Sequence, residues 1–325
     1  MTMSAPPRNP RADAAQRVGV ARRVVRLDMT WPESAPGDPR SLLVVSAHAR
    51  DSLLDDFGLR ILAEASIAVE IEPGAKVAAI SCEPGLAGVE SLVGRRASSG
   101  WRQAVRELLP DTSSPLGQLL DDLPVAVLVS GYAGLRTGQL QAMTGEAKQG
   151  TASRMADVCA GWSTGSTALI ALTGRGHAIV PELVGAPEWD QWDGEAGRLR
   201  TGDVRRERRL DVWPGVDAGA LQIEATFRDT WGDRREGEAI LHEYVVDACV
   251  DAVGRIVSLS ADPRVLPYPE CPSATRAIVD LIGERIDDVS STVPEVLTGI
   301  SSCTHLNDLL RSMGGTPALA TALQA

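Results

Sequence analysis

Cys303 and His305 stand two residues apart in SSCTHLNDLL (301–310), at the head of a stretch with helical spacing. The chain has only five cysteines and four histidines, so a thiol beside an imidazole is a chemical feature worth weighing. Such a pair can ligate a metal ion when a further thiol or carboxylate converges on it. Cys271 and Asp262, on either side of a proline-rich break, complete that set: Cys271, Cys303, His305 and Asp262. Alternatively, a thiol at a helix start can have its thiolate favoured by the helix dipole. The plainer reading is a small buried cysteine, a cap at Thr304 and a solvated His305.

A second candidate lies upstream. In LHEYVVDACV, His242 alternates with Tyr244, Val246 and Val250, so it falls on the apolar face of a strand. Asp229 ends the preceding strand on the parity of Ile223, Ala225 and Phe227. In a hairpin the two share a face and a sheet end. That is the arrangement of an Asp–His dyad, with the carboxylate fixing the imidazole tautomer and His242 as general base. The competing reading is a core histidine held by one hydrogen bond. Around this dyad the expected catalytic set is His242, Asp229, His305 and Cys303. Arg228, Tyr244, Tyr132 and Trp162 are expected to bind substrate.

These residues belong to one half of a duplicated chain. ILAEASIAVEIEPGAKVAAISCEP (61–84) aligns without a gap on ILHEYVVDACVDAVGRIVSLSADP (240–263). RRVVRLD (22–28) answers RRERRLD (205–211), SAHARD (46–51) answers EATFRD (224–229), and SLVGRR (91–96) answers DLIGER (280–285). SSPLGQLLDDL (113–123) answers SSCTHLNDLLRSM (301–313). What both copies keep, including Arg50-Asp51 and Arg228-Asp229, reads as architecture, with each aspartate bonded to its adjoining loop. His242 replaces Ala63, Cys303 replaces Ser114, His305 replaces Leu116, and Cys271 has no counterpart. The thiol–imidazole chemistry has therefore collected in copy two.

Alternating apolar residues followed by helical segments make each copy a small antiparallel meander followed by helices. The fold class is α+β by tandem duplication, with a mixed middle segment. The expected organisation is a disordered tail (1–20), a first, degenerate repeat (21–123), a middle segment (124–202), a second repeat carrying the site (203–315) and a tail (316–325). In the middle, PVAVLVSGYAG (124–134) reads as a buried strand, and 139–161 and 166–172 as helical. The polar stretch with Trp189 and Trp192 is long enough to form a lid. In copy two, helices are expected over 273–282, 289–297 and 304–313.

A net charge of −11 gives no general attraction for nucleic acid or anionic membranes. The clustered arginines at 205–209, with acids around them, read as a solvated face. No apolar run reaches the roughly 20 residues needed to span a bilayer. Scattered cysteines in odd number point to a reducing cytoplasm. No glycine-rich phosphate loop, HExxH or CxxC occurs, and Ser130 lacks the glycine two residues before it that a nucleophile elbow needs. No organic cofactor is predicted, a bound metal ion stays open, and nothing sets the oligomeric state.

RRERRLDV, FRD, HEYVVDACVD, DPRVLPYPECP, LIGERI and CTHLNDLL together resemble a bacterial family known only as a domain of unknown function. Its shorter members carry one such unit and end in a Gly-Cys-Thr-His-Leu box, where this chain has Ser302 in place of the glycine. The likeness covers copy two well and copy one faintly, and it implies no chemistry. A looser likeness is to the iron–sulfur scaffold fold, also a meander followed by helices. The expected function is a small-molecule enzyme using acid–base chemistry: elimination or hydration, isomerisation or cyclisation. A metal or iron–sulfur binding protein and a non-catalytic interaction module are the alternatives.

Overall fold

Among the described residues, period-two alternation builds eight strands in two sets of four. They are β1 (Val20–Thr30), β2 (Leu43–Asp55), β3 (Gly58–Glu72) and β4 (Lys76–Glu83), then β5 (Val204–Pro214), β6 (Leu221–Asp233), β7 (Gly237–Val250) and β8 (Ile256–Val265). The structure, a computed structural model, describes residues 18–32, 41–136, 145–175, 197–233 and 237–324. All eight strands form one antiparallel sheet in the order β4-β3-β2-β1-β5-β6-β7-β8.

The two repeats lie side by side, joined through their first strands. Arg22 pairs with Asp211 and Asp28 with Arg205. Arg22 corresponds to Arg205 in the duplication and Asp28 to Asp211, so one ion pair is made twice about a pseudo-two-fold axis, at 2.6 Å each time. Val25 faces its own counterpart, Arg208, at that axis. Further out, the bridges Lys76–Arg96 and Arg255–Arg285 repeat each other.

The arginine-rich runs are therefore the two central strands, not a solvated face. Arg23, Arg206 and Arg209 are buried. A buried guanidinium is tolerated only with carboxylate partners. Arg23 takes Asp51 on the neighbouring strand and Arg206 takes Asp229. The aspartates kept in both copies hold these arginines, not their adjoining loops.

The helices cover one face. They are α1 (Trp101–Leu108), α2 (Pro115–Arg136), α3 (Gly145–Met155), α4 (Thr167–Arg175), α5 (Val289–Val296), α6 (Thr304–Ser312) and α7 (Thr316–Ala322). The helical segment expected over 273–282 is a run of 3-10 turns, Cys271–Leu281. One core lies under repeat one, built on Leu119, Leu120, Leu123 and Trp101. A second lies under repeat two, built on Leu306, Leu309, Leu310 and Phe227, and a small third one joins Ala168, Tyr268 and Cys271. The opposite face of the sheet is a ladder of charged pairs, including Arg26–Glu207 and Arg228–Glu243.

The expected buried strand at 124–134 is instead the second half of α2, which runs through the boundary set at 123/124. A short apolar run does not distinguish the two by periodicity. Pro124 sits inside this helix and cannot bond the carbonyl of Leu120. The indole Nε1 of Trp101 donates to that carbonyl at 2.7 Å, so the break costs no orphaned acceptor. The expected C-terminal tail from 316 is the helix α7, anchored by buried Thr316 and Leu319. Trp189 and Trp192 lie outside the described residues. Among the described residues, no helix is long and apolar enough to cross a membrane.

Candidate functional site

Three directly opposed positions on β5, β6 and β7 begin the site. Arg206 faces Asp229, and Asp229 faces His242. Repeat one has the same frame, Arg23, Asp51 and Ala63, with a register shift just after the aspartate in both copies. The arginine–aspartate pair is thus shared scaffolding, and repeat two adds the imidazole.

Arg206 clamps Asp229 through Nε to Oδ1 at 2.6 Å and Nη2 to Oδ2 at 2.9 Å. His242 Nδ1 lies 2.9 Å from Asp229 Oδ2, and its Nε2 lies 3.1 Å from the Tyr132 hydroxyl. All of Arg206, Asp229 and His242 are buried. Burial alone would raise the Asp229 carboxyl, but the Arg206 guanidinium and the His242 bond outweigh it and hold it well below the usual carboxylate range. An ionised Asp229 can only accept, so His242 Nδ1–H donates to it, and the Nε2 lone pair accepts the Tyr132 O–H. Burial keeps that phenol protonated far above its ordinary range.

His305, in the first turn of α6, stacks on His242 with ring centroids 3.9 Å apart and planes at 23°. Phe227 also stacks with His305, at 6.4 Å, and carries the Arg206 guanidinium 4.5 Å from its own centroid. The His305 Nε2 is buried with no hydrogen-bond partner. Burial first, then the neighbouring His242 and Arg206, push its pKa well below the ordinary histidine value. His305 is therefore neutral and carries an open ring nitrogen.

Acid stability should report this. Unfolded, His305 takes a proton below about pH 6.5; folded, it stays neutral, so its contribution is present above that pH and lost as pH falls. Denaturant unfolding between pH 7 and 5 should show up to about 1.4 kcal/mol per pH unit of acid loss that His305→Gln lacks. Equal slopes in the two proteins would contradict a neutral folded His305.

The third component is thiols and phenols. Cys303 is the N-cap of α6, and the amides of His305 and Leu306 face its sulfur, as a helix-start thiolate would require. Burial nevertheless wins and raises its pKa, so the thiol form is favoured. Cys271 is likewise pushed up to about 12 by burial and the neighbouring Cys303. Tyr244 lies against Cys303. Tyr268 is buried, stacks edge-on against Trp162 at 5.8 Å and has an unpartnered hydroxyl. A β-carbon on Gly161 would sit 2.6 Å from the Cys271 sulfur, so the turn carrying Cys159 and Trp162 closes on Cys271 through a glycine. All three tyrosines of the chain and three of its five cysteines gather here.

Two expected residues fall elsewhere. Arg228 neighbours Asp229 in sequence, but strand alternation turns it to the opposite face, where it pairs with Glu243 at 2.6 Å. Asp262 is exposed and paired with Arg264 at 3.1 Å, away from the thiols. The set Cys271, Cys303, His305 and Asp262 does not converge. Among the described residues, the convergent ligand atoms are those of Asp229, His242 and His305, all within 4.8 Å of one another. Sequence reasoning missed Arg206, Tyr268 and Asp308. Arg206 was legible in part, because Arg23 occupies the same place in copy one. Asp308 bonds Arg206 at 2.9 Å and also Arg208, extending the buried charge network to Asp122.

Residues 204–318 match a family described as a protein of unknown function (DUF2889), a span running from β5 into α7. No curated protein and no solved structure matches the chain. The resemblance to an uncharacterised domain family thus covers the second repeat. Tyr132, which completes the hydrogen-bonded chain to His242, comes from outside the matched span.

Proposed function

We propose that the protein is a small-molecule enzyme that works by proton transfer without an organic cofactor, in elimination or hydration, isomerisation or cyclisation. The observation that carries this reading is the continuous chain Asp229–His242–Tyr132, beside the open nitrogen of His305. Asp229 fixes the tautomer of His242 and supports its positive charge. His242 accepts the proton of Tyr132 as Tyr132 takes one from the substrate, and returns it when Tyr132 gives one back. Tyr132 is the group that meets a reacting oxygen or carbon, and His305 is a second neutral base. Cys303, Cys271 and Tyr268 are buried beside them as neutral groups.

Solvent deuterium exchange tests this across many compounds at once. Pooled small carbonyl and hydroxy acids are incubated with protein in heavy water, and mass spectrometry reads enzyme-dependent deuterium uptake. Uptake into one compound, absent with His242→Asn, is the expected result. Uptake that persists with His242→Asn, or none across broad pools, would count against the reading.

A second reading is favoured by the proximity of Asp229, His242 and His305, a cluster able to offer a metal three ligands. Two features weigh against it. The stacked imidazoles direct their lone pairs along nearly parallel planes rather than to one point, and Arg206 already neutralises Asp229. Elemental analysis of protein purified without chelator is expected to find no stoichiometric zinc or iron. A stoichiometric metal lost in His305→Ala would reverse the order of the two readings.

A further inference from the structure

The two repeats differ at one hairpin tip. Where β2 turns into β3, residues 56–64 are exposed at every position. The tip carries large apolar side chains: Phe57 is fully exposed, Leu59 is half exposed, and Ile61 and Leu62 are 51% and 36% exposed. The counterparts of Ile61 and Leu62 in repeat two, Ile240 and Leu241, are 5% and 2% exposed. There α2 and the stretch 197–203 pack over the hairpin: Tyr132 bonds His242, and Glu238 accepts from the amide of Leu199. Among the described residues, nothing covers the tip of repeat one in this way.

β3 also has an open edge. β4 pairs with it only between Ser66 and Glu72 and ends at Glu83, before Pro84, which has no N–H to carry the ladder further. Residues 58–65 therefore pair with β2 on one side and with no described strand on the other. Leu62 is the extra residue where the β2–β3 register shifts, in the middle of this stretch. An open apolar edge is a template for another strand, and monomers usually block it with charge or a cover.

The open stretch is complementary to itself. Two antiparallel copies of GLRILAEAS (58–66), related by a two-fold axis at Leu62, put Arg60 of each opposite Glu64 of the other. The same register puts Gly58 opposite Ser66, the first residue that β4 claims. Charge and the length of the open edge thus select one register independently. Opposite charges directly across an antiparallel pair stabilise it. The chain joins its own halves by the same device, since β1 and β5 meet antiparallel with Arg22–Asp211 and Arg205–Asp28 on either side of the pseudo-two-fold axis. A lipid surface is a poorer fit, because Asp55 and Asp56 precede Phe57 and the net charge is −11.

We infer that a second copy of this chain docks on the β3 edge, forming an isologous dimer in which residues 58–66 pair antiparallel and Leu59, Ile61 and Leu62 are buried. The inference does not depend on the chemistry at His242.

Sedimentation velocity of the full chain tests it. The wild-type protein at about 100 μM is expected at twice 34.4 kDa. Ile61→Asp, at an exposed position, should sediment as a monomer with an unchanged far-ultraviolet circular dichroism spectrum. Arg60→Glu should weaken the dimer roughly tenfold, because it sets like charges opposite each other twice. Lys76→Glu, an equal change of net charge at the far end of β3, should leave the dimer unchanged. A wild-type monomer, an assembly larger than a dimer, or a dimer that survives Ile61→Asp would overturn the inference. So would equal effects of Arg60→Glu and Lys76→Glu. Flotation with neutral phosphatidylcholine vesicles is the second arm: wild-type protein that floats, when Ile61→Asp does not, would assign the hairpin to a lipid surface instead.

Discussion

Asp229→Ala is expected to lower the unfolding free energy by about 3–5 kcal/mol, the range for breaking a buried ion pair by removing one partner. Asp229 is fully buried and holds Arg206 through two bonds and His242 through one. Without it, Arg206 keeps only Asp308, which Arg208 and Arg102 also claim. Asp51→Ala is the internal comparison. It removes the carboxylate of Arg23 at the equivalent position, where no histidine follows, and should cost a similar amount. The two variants should separate in chemistry: deuterium uptake should survive in Asp51→Ala at temperatures where the protein stays folded, and should fail in Asp229→Ala. Urea unfolding of both gives the energies. A loss under about 1 kcal/mol in Asp229→Ala would mean that Arg206 finds full compensation from Asp308, and the buried pair would not be the support assigned to it.

Tyr132→Phe is expected to slow the His242-dependent exchange by about 10²- to 10⁴-fold, the usual scale for one general acid–base group. The substitution removes only the hydroxyl bonded to His242 Nε2 and keeps the ring that stacks edge-on against the imidazole at 5.0 Å. Its stability cost should therefore stay near that of one hydrogen bond, about 1 kcal/mol. His242→Asn should lose a comparable amount of activity. Because the two groups act as one relay, the double variant should be little worse than the poorer single variant. Losses that multiply instead would show that Tyr132 and His242 serve separate steps. A Tyr132→Phe protein with full exchange activity would move the terminal role to His305, whose open nitrogen is the alternative proton acceptor.

Much of the frame was legible in the residues. The gapless match of 61–84 on 240–263 announced the duplication, and the strands and later helices follow its landmarks. Alternation set Asp229 and His242 on one face, and the turn between their strands made them neighbours; the register pairs them directly. Cys303 heads a helix, as SSCTHLNDLL suggested, with His305 in its first turn. These features depend on residues within a few positions of one another, or within one hairpin, and pattern alone carries that information.

The rest depended on which strands and helices meet. Arg22 reaches Asp211 and Arg205 reaches Asp28 across 189 and 177 residues, because β1 pairs with β5. A charge run looks the same on paper whether it faces water or a partner strand, so the arginines could not declare themselves buried. Tyr132 meets His242 from 110 residues away, and does so because α2 continues past Pro124 once Trp101 takes over the carbonyl of Leu120. Arg228 was misplaced by closeness in sequence, although its own strand parity already turned it away. The local pattern thus determined each element and the face each residue takes on it. The tertiary structure decided strand order and helix length, and through them which buried charges, phenols and thiols share one site, because those pairings depend on distant contacts that no short-range periodicity encodes.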